Sequence, residues 1–172
     1  MKSALIIAGI LILGAGAIFA FSSSKPKAEP LESPTPTPQA TEEIEVDTRA
    51  SFTIFTNGTL RIFTDSRYHN LSPDVYIESP NPNIVHIKKA GITWDDFFKT
   101  LPMKLEDDCL TTGTGQVFCT NETRTLKFYL NEQLDAAALS RVINPGDKLL
   151  VSYGPLNDPA IEYQLEQIPL AE

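Results

Sequence analysis

The chain is poor in the residues that most reactions and most metal sites require. It holds two cysteines, two histidines and one tryptophan in 172 residues. No His-x-x-x-His pair accompanies His69 or His86, so no zinc site is signalled by spacing. There is no Gly-x-Ser-x-Gly elbow to expose a nucleophilic serine. Gly113-Thr114-Gly115 is too short to cradle a phosphate and reads as a turn. The cysteines, Cys109 and Cys119, do not form Cys-x-x-Cys, so redox catalysis is not indicated. Lysine and arginine never run longer than Lys88-Lys89, and the formal net charge is −8. A phosphate backbone demands a clustered basic face, so nucleic acid is excluded as an expected partner.

Charge is also missing from one long stretch near the start. Ala4 to Phe21 is apolar and uncharged, and it follows Lys2. At about 1.5 Å per helical residue these residues cover most of a hydrocarbon core of about 30 Å, so residues 1–21 read as a single-pass transmembrane anchor with its amino terminus in the cytoplasm. The alternative is a signal peptide cleaved near Ala20, which would release a secreted protein. Residues 22–45 then change to Ser, Thr and Glu around Pro30, Pro34, Pro36 and Pro38. Proline removes backbone donors and favours extended geometry, so this is expected to be a disordered linker that holds a domain off the cell membrane. In either reading the remainder is extracytoplasmic, where the even cysteine count favours a Cys109–Cys119 disulfide.

The domain is expected over 46–154, with a tail over 155–172. Its clearest helical pattern is Trp94, Phe97, Phe98 and Leu101 at i, i+3, i+4 and i+7, a core-facing stripe. Thr93 and Asp96 supply a capping signal before it, and Pro102 ends it. Phe52–Thr56, Asn57-Gly58 and Thr59–Phe63 predict a hairpin. Val75–Glu78, Ile84–Lys88, Leu126–Leu130 and Lys148–Tyr153 read as strands, and Cys109–Thr112 and Gln116–Cys119 as the two arms of a turn. Ala136–Val142 reads as a helical turn. After Asp158-Pro159, Ile161, Leu165 and Ile168 mark a short amphipathic helix.

A hairpin, a helix and a returning pair of strands is an α+β order that resembles the β-grasp fold, a mixed sheet wrapped on one main helix. Leu126-Lys127-Phe128-Tyr129-Leu130-Asn131 followed by Val142 to Gly154, with its Gly146-Asp147 turn, looks like the closing part of ubiquitin-like domains. Gly91-Ile92-Thr93-Trp94, Phe97-Phe98, Asp107-Asp108-Cys109 and Phe118-Cys119 extend a resemblance, over Val85 to Gly154, to an uncharacterised family of membrane-anchored or exported β-grasp proteins of little-studied prokaryotes. The resemblance implies a fold and no activity. Sulfur-carrier members work through a free terminal Gly-Gly, whereas Gly154 is followed here by Pro155, so that chemistry is not expected.

Asp95, Asp96, Asp107 and Asp108, with Glu106 beside them, are weak candidates for a calcium-like cation should helix and loop converge. Asp95 and Asp96 are equally explained by the helix N-terminus. His86 reads as a core or edge strand residue. Asn57, Asn70 and Asn121 each begin an acceptor triplet for N-glycosylation. The expectation is a non-catalytic binding module without a cofactor, its partner another envelope protein or a small ligand. The alternatives are an envelope enzyme or enzyme subunit using the acidic loop with a metal, and a structural subunit of a surface assembly.

Overall fold

In the computed structural model, which describes residues 45–171, the longest of the described elements comes first, strand β1 (Glu45–Thr56). The anchor and most of the linker assigned above to 1–21 and 22–45 lie outside the described residues. Then follow β2 (Thr59–Leu60), β3 (Val75–Tyr76), β4 (Ile84–Lys89), helix α1 (Trp94–Thr100), β5 (Lys104–Leu105), β6 (Cys109–Thr111), β7 (Val117–Cys119), β8 (Thr125–Leu130), β9 (Gln133–Leu134), β10 (Lys148–Gly154) and helix α2 (Ile161–Glu166). The fold is α+β. One large mixed sheet runs in the order β3-β4-β1-β10-β8-β9 with β2 also on β1, and β5-β6-β7 form a small separate sheet. β1 and β10 pair in parallel from Ser51↔Lys148 to Thr56↔Tyr153, and their other neighbours are antiparallel.

Strand alternation decides what each face of this sheet meets. Ala50, Phe52 and Ile54 of β1, Leu149 and Val151 of β10, and Leu126 and Phe128 of β8 share a buried core with Trp94, Phe97, Phe98 and Leu101. All four side chains of the helical stripe are buried, worth about 1.5–3 kcal/mol each relative to exposure. Phe52 sits at the centre, with ring centroids 5.2 Å from Phe63, 5.2 Å from Phe97 and 5.6 Å from Phe98. On the opposite face Phe55 and Leu150 pack with Ile168, and Tyr129, Ile161 and Leu165 complete that smaller cluster. The tail is thus docked on the sheet through α2 and the residues after it. Lys127 Nζ donates to the carbonyls of Pro155 and Leu156, and Gln164 Nε2 donates to Asp158 Oδ2 at 3.2 Å. Burial depresses the Lys127 ammonium pKa, an effect that the nearby Asp158 opposes.

α1 starts at a complete capping box. The Thr93 hydroxyl accepts from Asp96 N–H at 3.1 Å, and the Asp96 carboxylate accepts from Thr93 N–H at 3.0 Å. It stops because Leu101, held extended before Pro102, cannot continue the helix. Two expectations need correction. The hairpin keeps its Asn57-Gly58 turn, both residues at positive φ, but its second arm is only Thr59–Leu60. Arg61 N–H still reaches Ile54 O at 2.8 Å, and then Phe63 turns into the core while β4 takes the earlier part of the same β1 edge. Within Ala136–Val142 only Ala138–Ser140 is helical, as a 3-10 turn that buries Ala138 and Leu139.

Thr93→Ala is expected to lower the unfolding free energy by about 0.5–2 kcal/mol in urea titration. Hydrogen bonds from the Thr93 hydroxyl and backbone hold the Asp96 pKa below the usual aspartate value. Its stabilising contribution is therefore complete above about pH 4 and is lost as pH falls through the lower folded value. Asp96→Asn should remove that segment of the acid profile; an unchanged profile would detach Asp96 from it.

Candidate functional site

The small sheet forms one side of a cavity that combines an apolar interior with two arginines. β6 and β7 pair with Leu110 opposite Phe118 and Cys109 opposite Cys119. Backbone bonds at 112/116 and 120/108 make 109/119 a non-hydrogen-bonded pair, where facing residues approach most closely. The Cα atoms are 4.0 Å apart and the two sulfurs are joined. Leu110 turns inward, fully buried, and Phe118 lies 5.4 Å from the Tyr153 ring. At the hairpin tip, a Cβ on Gly113 would fall 2.7 Å from the Pro102 carbonyl oxygen and 2.8 Å from the Tyr68 hydroxyl. Only glycine lets the tip approach Tyr68 this closely.

Between this hairpin and the segment running from β2 to the 3-10 turn Ser66–Tyr68 lies a cavity of about 290 Å³. Ile54, Phe63, Tyr68, Met103 and Leu110 give it apolar walls, and Arg61, Arg67, Thr112 and Thr114 supply its polar groups. Arg61 is held from three directions. Its Nε donates to Thr56 Oγ1 at 2.6 Å, its Nη1 donates to Gln116 Oε1 at 3.0 Å, and its guanidinium lies 4.9 Å from the centre of the Phe118 ring. Arg67 stacks at 5.0 Å on Tyr68 and is 3.7 Å from Asp65. Beside the cavity Ile62 is 70% exposed. Such an arrangement can bind and orient a small molecule; it presents no paired nucleophile and base.

These residues were not singled out by sequence reasoning. Arg61 fell within the expected second hairpin arm, Thr59–Phe63, and Arg67 in none of the expected elements. The one local signal was a cation inside the apolar run Leu60-Arg61-Ile62-Phe63.

The acidic candidates are divided. Asp95 pairs with Lys99, and Asp96 belongs to the helix cap. Asp95, Glu106 and Asp107 do line a second cavity of about 540 Å³, but Lys99 and Lys104 line it too, with Lys104 at 2.8 Å from Glu106. Asp96 and Asp108 are not among its walls. Among the described residues no group of three or more His, Cys, Asp or Glu is placed to hold a metal ion. His69 Nε2 is 2.8 Å from the Phe63 carbonyl, and His86 stacks on Tyr76 with centroids 5.0 Å apart. Asn57, Asn70 and Asn121 are exposed, but Asn121 Nδ2 is engaged with Cys119 O and the Tyr153 hydroxyl, and Asn57 Oδ1 accepts from Arg124.

No family model, no curated protein and no solved structure matches the chain.

Cys119→Ser is expected to cost about 2–3 kcal/mol, from the entropy of the short loop that the disulfide closes. Hydrogen exchange should rise in β6 and β7 more than in β1 and β10; uniform loosening would mean the disulfide braces the large sheet instead. Desolvation lowers the His86 pKa, and Glu78 opposes that effect. The neutral form is thus favoured in the fold. Stability from this group is complete above about pH 6.5 and declines as pH falls through the window below it, down to the folded value. His86→Gln should flatten that segment of a stability–pH curve, and an unaltered slope would assign it elsewhere.

Proposed function

We propose that this chain is an extracytoplasmic binding module that performs no chemistry of its own. In this reading a β-grasp domain of the exported family it resembles is carried on a proline-rich spacer behind a single-pass anchor, or is released by cleavage, and meets an envelope protein or small ligand at the Arg61 cavity. What supports the fold reading is the central parallel pair made by the first and last strands, with the main helix falling between β4 and β8 on one face. The apolar run Ala4 to Phe21 supports the anchor, and the disulfide is consistent with an oxidising compartment. The observation that carries the binding role is the cavity, where an apolar interior adjoins a guanidinium fixed by Thr56, Gln116 and Phe118. Groups fixed before the ligand arrives reduce the entropic cost of association.

A photoreactive side chain at Ile62 or at Leu134, 70% and 65% exposed, tests the location in full-length protein on native membranes. Leu134 lies on β9, the far edge strand of the large sheet. Adducts from position 62 and none from 134 are expected, with intact mass distinguishing a small ligand from a protein. Equal labelling at both positions, or none at 62, would refute this site.

A further inference from the structure

The geometry points to a small organic monocarboxylate with a short apolar body as the ligand of the Arg61 cavity, its carboxylate at the guanidiniums and its body against Phe63, Met103 and Leu110. The inference rests on the binding role proposed above and adds the ligand class. Charge complementarity carries it. The net charge of the chain is −8, yet both charged residues that line this cavity are arginines. The partners of Arg61 are the neutral Thr56 and Gln116 and the Phe118 ring, and no carboxylate pairs with it among the described residues. Two of its five N–H donors are engaged there, which leaves the rest of the guanidinium edge for an oxyanion. Arg67 shares its charge with the exposed Asp65 at 3.7 Å. Two guanidiniums and one carboxylate leave about one positive charge at the site, which matches a monoanion better than a doubly charged phosphate. The Thr112 and Thr114 hydroxyls are hydrogen-bonded to each other at 3.0 Å, and the one that accepts keeps its O–H to donate to the same anion.

Size limits the body of the ligand. At about 290 Å³ the cavity is at the lower edge of the range of about 300–1,000 Å³ usual for ligand pockets. The apolar walls favour a hydrocarbon body, while an amine would meet like charge and an alcohol would leave the guanidinium without its counter-ion.

The test uses hexanoate, hexanol and hexylamine as probes on the full chain, with binding read from protein amide chemical shifts. Hexanoate should shift residues around Arg61, Tyr68 and Thr112, and butanoate should bind more weakly by about fourfold per methylene removed. Arg61→Gln should weaken hexanoate by about tenfold or more while leaving hexanol unaffected. Thr114→Trp, at an exposed position on the rim, should block the cavity with both arginines intact; unchanged emission from the buried Trp94 in Arg61→Gln verifies that the fold persists. Hexanol binding as tightly as hexanoate, or hexanoate binding that Arg61→Gln does not weaken, overturns the carboxylate assignment. Absence of shifts with all three probes overturns it too, and labelling from position 62 then decides separately whether the cavity binds something else.

Discussion

Strand β1 can lie parallel to β10 only if everything between them returns the chain to the same end of the sheet. All the remaining strands, α1 and the disulfide hairpin form that return path. Parallel pairing buries the central strands on both faces, and each face therefore needs its own cover. The residues supply two of different character. Aromatic rings from α1 fill the space over Phe52, and the smaller aliphatic residues Ile161, Leu165 and Ile168 close over Phe55 and Leu150.

The second cover shows how a polar group is accommodated in such a place. Lys127 alternates with Leu126 and Phe128, so strand geometry puts it on the α2 side, where it is only 6% exposed. A buried ammonium without partners would be costly. The carbonyls of Pro155 and Leu156 receive it, and the chain leaves β10 in the direction that leads to α2. One lysine thereby links the last strand's exit to the docking of the tail.

Elements whose cause is local were legible before the fold was known. Thr93, Asp96 and Pro102 delimit α1, and Asn57-Gly58 makes its turn, because caps, proline and positive φ act within a few residues. The start of β1 was missed because Glu45 to Ala50 offers Val46, Thr48 and Ala50 inward, a weak apolar alternation that becomes a strand through pairing with β4. The second hairpin arm was overestimated for the converse reason. Leu60 to Phe63 has strand-like composition, but tertiary packing draws Phe63 toward Phe52 and leaves Ile62 outside. The cavity was illegible because its walls come from β1, the β2 segment and the hairpin, which no periodicity connects.

Arg61 joins those walls. Thr56 lies at the end of β1, whereas Gln116 and Phe118 belong to the disulfide hairpin, so a single guanidinium bridges the large sheet and the small one. An arginine serves here where a lysine would not, because its planar fork reaches two acceptors while its face rests on an aromatic ring. The disulfide shortens the range of positions open to Phe118, and Gly113 allows the hairpin tip to seat against Tyr68. Each constraint fixes the guanidinium without neutralising it. A chain that carries excess negative charge has placed a cation among neutral partners at the edge of an apolar cavity, and the proposed preference for an anion rests on that residual charge.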